Sequence, residues 1–228
     1  MKKYLSVIGA FLLLLGLSGA ANAVSINYDF IAVGNEFTSP YFATIENFNS
    51  GSPLWTWTGS SAIVQGSVAG QYSAPGGVDG VNKDTTKYVT VPSPSSGGNG
   101  SVQVTGLPAG PGPGGTYNYF GLWWGSIDSY NTFTFYLNGV STGQSFTGTA
   151  VTTPGSDNGN QILTVSNHYV NFLDLLPFNS FAMSSTQFAF EADNIAIGYN
   201  PSHVPEPTTM LLLGFGLIGL AGMRRFKK

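Results

Sequence analysis

The stretch TFTFYLNG, residues 132–139, decides the fold class. Phe133, Phe135 and Leu137 occupy every second position, and the residues between them are threonine and tyrosine. This period of two predicts a half-buried β-strand with its apolar side chains on one face. The dipeptide Asn138-Gly139 that follows is typical of a two-residue hairpin turn. The stretch therefore predicts an antiparallel hairpin and, with it, a β-protein.

The same period recurs along most of the chain, and no segment between its two ends sustains helical spacing over three turns. Many short strands separated by loops rich in Gly and Pro predict an all-β fold, a single antiparallel β-sandwich of jelly-roll-like arrangement. A short strand carries Trp55 and Trp57 on one face. Further strands are predicted at Ala62–Val68, Tyr88–Val91, Ser101–Leu107, Thr116–Trp124, Gln161–Val165, Tyr169–Leu175, Ser180–Ser184 and Gln187–Tyr199.

The first 23 residues have the layout of a secretory signal peptide. Lys2 and Lys3 precede an apolar stretch, and Ala21 and Ala23 fit an A-x-A cleavage site. We therefore predict a signal-peptide helix over residues 1–23, removed by signal peptidase after Ala23. The alternative is an uncleaved anchor, for which the apolar run is short.

The last 25 residues read VPEPTTMLLLGFGLIGLAGMRRFKK. The 14 residues 210–223 carry no charge, which predicts a short transmembrane helix, and the basic residues after them, including Arg224 and Arg225, are expected on the cytoplasmic side. Pro205 and Pro207 hold Glu206 in an extended peptide just outside the membrane. An extended peptide of this kind is accessible to a processing enzyme.

Pro205-Glu206-Pro207, the apolar helix and the Arg224-Arg225 cluster, in this order, resemble the PEP-CTERM sorting signal of Gram-negative bacteria. The resemblance implies that residues 204–228 are recognised by an exosortase, a membrane peptidase of organisms that make extracellular polysaccharide. It also implies a precursor tethered to the inner membrane and a mature protein at the cell surface or in the extracellular matrix. An ordinary membrane anchor is the alternative.

A second resemblance involves the region between the signals. Residues 119–135 and 188–195 are similar to segments of exosortase-dependent surface proteins, and Phe190-Glu191-Ala192-Asp193-Asn194 resembles the last strand of jelly-roll domains such as carbohydrate-binding modules. Neither resemblance implies an activity.

The amino-acid composition of the domain predicted at residues 24–203 limits the kinds of partner that it can bind. Between the two signals the chain has two lysines, no arginine and ten acidic residues, a formal net charge of −8. Nucleic acid is therefore excluded as a partner, because phosphate binding needs clustered cations. The absence of cysteine excludes disulfides, thiolate nucleophiles and cysteine-bound metals.

Acidic residues suggest one candidate site. In a regular strand Glu191 and Asp193 share a face, and with Asp128 and backbone carbonyls they predict a calcium site. The alternative is that these acids accept hydrogen bonds from backbone N–H groups.

Tryptophan residues suggest a second candidate site. Trp55 and Trp57 are predicted to stack on sugar rings if they are exposed, and to pack in the core otherwise. Trp123 and Trp124 are expected to face opposite sides of their strand.

No catalytic motif is present; His168 and His203 are the only histidines, and no nucleophile elbow, metal-binding histidine pair or phosphate-binding loop accompanies them. We therefore predict a non-enzymatic structural or adhesive protein associated with extracellular polysaccharide. A lectin-like carbohydrate-binding module and a glycan-active enzyme are the alternatives.

Overall fold

Strands, the loops that join them and three 3₁₀ turns make up the part of the chain that the structure describes. The computed structural model describes residues 24–29, 44–76 and 83–201. The predicted signal peptide with Ala21 and Ala23, the Pro205–Pro207 motif and the predicted membrane helix lie outside these residues. Within the described ranges, no helix has the length and apolar character needed to cross a bilayer.

Residues Val24–Asn200 form one unit of two antiparallel sheets. The seven-stranded sheet has the order β1-β10-β7-β12-β5-β4, with β2 also paired to β12, and the five-stranded sheet has the order β3-β6-β11-β8-β9. The strands are β1 Ser25–Asp29, β2 Thr44–Glu46, β3 Thr56–Gly59, β4 Ala62–Gln65, β5 Lys87–Val91, β6 Gly100–Thr105, β7 Tyr119–Gly125, β8 Asn131–Leu137, β9 Val140–Thr147, β10 His168–Leu173, β11 Ser180–Ser185 and β12 Phe190–Gly198.

The hairpin predicted from residues 132–139 is confirmed. Leu137 pairs with Val140 across the turn, and both turn residues have positive φ, 51° at Asn138 and 80° at Gly139. These values are typical of the turn that matches the twist of two antiparallel strands.

All but one of the other predicted strands have counterparts. The prediction for Gln161–Val165 was wrong: a loop and a 3₁₀ turn at Thr164–Ser166 occupy this region. The Oδ1 atom of Asn160 accepts the N–H groups of Ile162 and Leu163, and this local bonding replaces a strand ladder. Strands β1 and β2 were not predicted, and the predicted hairpin implied β9 without giving its bounds.

Aromatic side chains join the two sheets into a sandwich. Phe120 of the larger sheet lies 4.9 Å from Phe181 and 5.1 Å from Phe133 of the smaller sheet, measured between ring centroids. Phe190 stacks on Trp124 at 4.5 Å. All these rings are buried, so the predicted all-β architecture of antiparallel sheets is confirmed.

The segment between β4 and β5 covers the outer face of the larger sheet, and we call it the covering segment. The structure describes its residues 66–76 and 83–86. Trp123 faces this side, and its indole N–H donates to the carbonyl of Gly76 (3.2 Å). Gly125 lies against Pro75 so closely that a Cβ at Gly125 would be 2.7 Å from the Pro75 Cα. The outer side of β7 and β12 is therefore an interior surface, which matters for the acidic residues on β12.

We predict that Gly139→Ala destabilises the fold by about 1 kcal/mol, because an L-residue resists the left-handed backbone at this position. No atom lies within 4 Å of the place that the alanine methyl group would take, so the cost is conformational and not steric. Urea unfolding followed by tryptophan fluorescence measures the change. Val140→Thr, at an exposed neighbour in the same hairpin, is the control and should be close to neutral; equal effects of the two changes would contradict the turn assignment.

Candidate functional site

A cleft of about 500 Å³ opens at the edge of the covering segment, beside the start of β12. Its walls come from four separate parts of the chain, residues 67–73, 126–130, 158–161 and 188–191. The polar side chains that line it include Gln71, Tyr72, Ser73, Ser126, Asp128, Tyr130, Asn158, Gln161 and Glu191. Hydroxyl and amide groups therefore dominate a cleft that also holds two carboxyl groups.

Glu191 is buried at the base of this cleft, and both of its carboxyl oxygens are engaged. The Ser73 N–H donates to Oε1 and the Ser126 hydroxyl to Oε2, each at 2.8 Å. Burial raises the pKa of Glu191 to about 7, and the neighbouring Asp128 contributes in the same direction, whereas the two donors oppose the rise. Glu191 thus ties the covering segment to the sheet.

Asp128 lies in the same cleft and is also buried. Burial raises its pKa to about 6; the Tyr130 hydroxyl opposes this, and the charge of Asp157 adds to it. Both oxygens of Asp128 point at Gly159, where a Cβ would meet them at 2.7 Å. A glycine at position 159 is therefore what lets the loop close over this carboxyl group.

Asp193 belongs to a different group of side chains. Burial raises its pKa well above the ordinary value, and a hydrogen bond with the Asp84 carboxyl raises it further. The Asp84 Oδ1 accepts both the N–H and the hydroxyl of Thr86, at 2.7 and 2.5 Å. Asp193 therefore lies beside Asp84 and Thr86 of the covering segment, which is a second place where that segment meets the sheet.

The structure thus brings together two of the three residues predicted to bind calcium. Asp128 and Glu191 share the cleft, whereas Asp193 pairs with Asp84. In the described part of the chain, no group of three or more acidic, histidine or cysteine side chains is arranged to hold a metal ion. Calcium binding stays a prediction, and the alternative, acids accepting backbone N–H groups, describes what Glu191 does.

The sequence did not indicate the partners of these acids. Lys83 bonds to two residues that line the cleft: its Nζ donates to the Ser73 hydroxyl (2.6 Å) and to the Gln161 side chain (3.1 Å). Ser73, Lys83 and Ser126 lie far from Glu191 in sequence, and serine and lysine have no pattern that marks them. Only the positive φ of Ser126, 38°, is unusual, and it is a structural property.

Trp55 is buried in the core, and Trp57 is half-buried against it. Trp55 is 5% exposed, and both rings contact Phe181 edge-on, with centroids at 6.1 and 6.3 Å. Sugar stacking needs an open ring face, so this geometry favours the core-packing alternative. Trp124 lies in the core and Trp123 on the outer face of the sheet, the opposite sides expected from alternation.

His168 is enclosed by backbone. Its Nδ1 lies 3.2 Å from the Thr164 carbonyl oxygen and its Nε2 3.1 Å from that of Val151. Burial lowers the pKa of His168. Its two ring nitrogens are therefore both directed at protein atoms.

We predict that Glu191→Gln flattens the dependence of stability on pH. The folded state holds a proton on Glu191 up to about pH 7, whereas the unfolded chain loses it near pH 4.5. Native protein binds more protons between these values, so its free energy of unfolding falls as pH rises through about 7. Glutamine has no such proton, and we expect it to reduce the fall by about 1–3 kcal/mol.

Urea unfolding at several pH values between about 5 and about 8 measures this difference. Thr147→Gln, at an exposed position of the smaller sheet that does not contact the buried acids, is the control and should retain the wild-type fall. A Glu191→Gln profile parallel to that of wild type would show that Glu191 is ionised throughout.

Comparison with known proteins relates one segment to a described family. No curated protein matches the sequence. Among solved structures, the crystal structure of the Agl-KA catalytic domain is similar over 79% of this chain and 31% of that chain, with 15% identity and a TM-score of 0.38, so the chain spans less than a third of that protein. Residues 203–225 match the family model of the PEP-CTERM protein-sorting motif. The chain therefore carries a PEP-CTERM protein-sorting motif, which implies exosortase-dependent sorting of an exported, membrane-anchored precursor in a Gram-negative bacterium.

Proposed function

We propose that the mature protein is a non-enzymatic, adhesive component of the bacterial surface or of its extracellular polysaccharide matrix. The observation that carries this proposal is the sorting motif at residues 203–225 joined to a β-sandwich. The motif accounts for export. The function of the protein after export must then reside in the β-sandwich.

The hydrogen bonds of Glu191 and His168 support a non-enzymatic role. A general acid or base needs a free lone pair or proton directed at substrate. Glu191 has a donor on each oxygen, and both nitrogens of His168 face backbone carbonyls. These hydrogen bonds hold the loops around Glu191 and His168, and they direct both side chains at protein atoms.

The strand order supports a lectin-like module as the second candidate. We infer that the sandwich is a jelly roll, because β5, β12, β7 and β10 are neighbours in one sheet and β6, β11, β8 and β9 in the other. This is the arrangement of two Greek keys, and jelly rolls include lectin domains. Fold alone does not assign a function, so the two candidates are separated by measuring binding to soluble glycans.

Deletion of Pro205–Pro207 should leave the protein unprocessed. Without the tripeptide an exosortase has no motif to recognise, so we expect a precursor of unreduced size in the membrane fraction, detected by immunoblot of fractionated cells. Exchange of Thr208 and Thr209 for serine is the control and should mature normally. Identical maturation of the deletion and the wild type would contradict the sorting function.

Purified residues 24–203 should co-sediment with polysaccharide isolated from the producing cells. We expect retention on this polymer without release of reducing ends, since adhesion requires binding and no bond cleavage. Denatured protein serves as the control for trapping. Protein that stays in the supernatant would contradict the adhesive role, and an increase in reducing ends would show a glycan-active enzyme.

A further inference from the structure

The five-stranded sheet is free of charge. None of its strands, β3, β6, β8, β9 and β11, contains Asp, Glu, Lys or Arg. The larger sheet, by contrast, carries Glu46, Lys87, Glu191 and Asp193. A domain with a formal net charge of −8 thus keeps one of its two sheets electrically neutral.

A groove of about 590 Å³ lies on the outer face of this neutral sheet. Val102, Val104, Phe135 and Phe181 face the core, so the alternating positions face outward. Its floor is formed by Gln103, Thr105, Tyr136 and Ser180, and one wall by residues 106–109. Its volume is in the range of small-molecule binding sites.

Hydrogen bonds hold both ends of this groove in place. At one end the Tyr117 hydroxyl donates to the Pro108 carbonyl (2.7 Å). At the other end the Asn179 side chain donates to the Asn138 side chain (2.7 Å) and accepts the Asn138 N–H (2.9 Å). A groove with fixed ends loses little conformational entropy when a ligand binds.

The floor of the groove keeps its polar groups available. Among the residues that the structure describes, the side chains of Gln103, Thr105 and Tyr136 make no hydrogen bond to protein. They are partly or fully exposed, so an amide, a hydroxyl and a phenol are directed at solvent. The Tyr136 ring and the side chains of Pro108 and Ala109 add apolar surface beside them.

We infer that this groove binds a strand of uncharged polysaccharide. A sugar ring has an apolar C–H face and a rim of hydroxyl groups, which match an aromatic ring flanked by amide and hydroxyl groups. A carboxylate or sulfate group on the polymer would lose hydration here without a cation to pair with, and the negative net charge of the domain would repel it. The inference rests on the proposed association with extracellular polysaccharide and names the class of polymer and the surface that binds it.

The test uses polysaccharide from the producing cells, separated by anion exchange into an uncharged and an acidic fraction. Binding of residues 24–203 to each fraction is measured by affinity electrophoresis at low and high salt. We expect binding to the uncharged fraction and little change with salt, because no ion pair forms.

Two variants locate the binding surface. Tyr136→Ala removes the stacking ring, and Thr105→Glu places a carboxylate at an exposed position of the floor; each should weaken binding about tenfold. Thr147→Glu, at an exposed threonine of the same sheet outside the groove, is the matched control and should bind like wild type. Thermal unfolding confirms that each variant is folded, and Thr105→Glu keeps the test valid if Tyr136→Ala is unstable.

The outcomes separate the inference from the proposed function. Weaker binding by both groove variants, with unchanged binding by Thr147→Glu, supports the groove. Binding to the acidic fraction alone, or wild-type binding by Thr105→Glu, overturns the inference and leaves the association with polysaccharide intact. Binding to neither fraction overturns the proposed function as well.

Discussion

Strand β12 is buried on both faces: one face packs in the core between the sheets, and the other lies under the covering segment. The structure of the larger sheet depends on how the acidic residues of this second face are bonded. Phe190 stacks on Trp124 in the core, and the adjacent Glu191 points to the opposite side of the sheet. A carboxyl group removed from water is costly unless hydrogen-bond donors meet it. Ser73 and Ser126 are those donors, and Asp84 pairs with Asp193 two residues further along. The covering segment is thus held over the sheet by acids that could not otherwise be buried.

Local alternation predicted most of this architecture, and its failures have physical causes. The hairpin at Asn138-Gly139 depends on neighbouring residues alone and was therefore predictable. The bounds of strand β9 were not predictable, because its sequence VSTGQSFT has few apolar residues and gains its structure from pairing with β8 at the edge of the sheet. The apolar run at 161–165 was misleading, since Ile162 and Leu163 are 65% and 48% exposed.

The candidate site was predictable only in part, for a related reason. Alternation correctly placed Glu191 and Asp193 on one face, opposite Phe190. It could not indicate that different partners would separate them, because Ser73 and Asp84 approach β12 from more than 100 positions earlier in the chain. The tryptophans illustrate the same limit: whether a ring faces sugar or core depends on a partner such as Phe181 on another strand. The partners of the acids and the packing of the tryptophans both depend on residues far away in the sequence. The alternation of apolar and polar residues carries no information about such long-range contacts.

The acidic cleft and the neutral groove differ in which of their polar side chains are free to bond to a ligand. In the acidic cleft, Glu191, Ser73, Ser126 and Lys83 are joined by hydrogen bonds, so a ligand that reached Glu191 would have to compete with contacts that hold the fold together. In the neutral groove, the structural hydrogen bonds lie at the ends, and the floor is left open to solvent. An adhesive surface needs groups that can bond outward without loosening the protein. The neutral sheet meets that requirement, and the division of charge between the sheets lets one carry the internal links while the other remains available for contact.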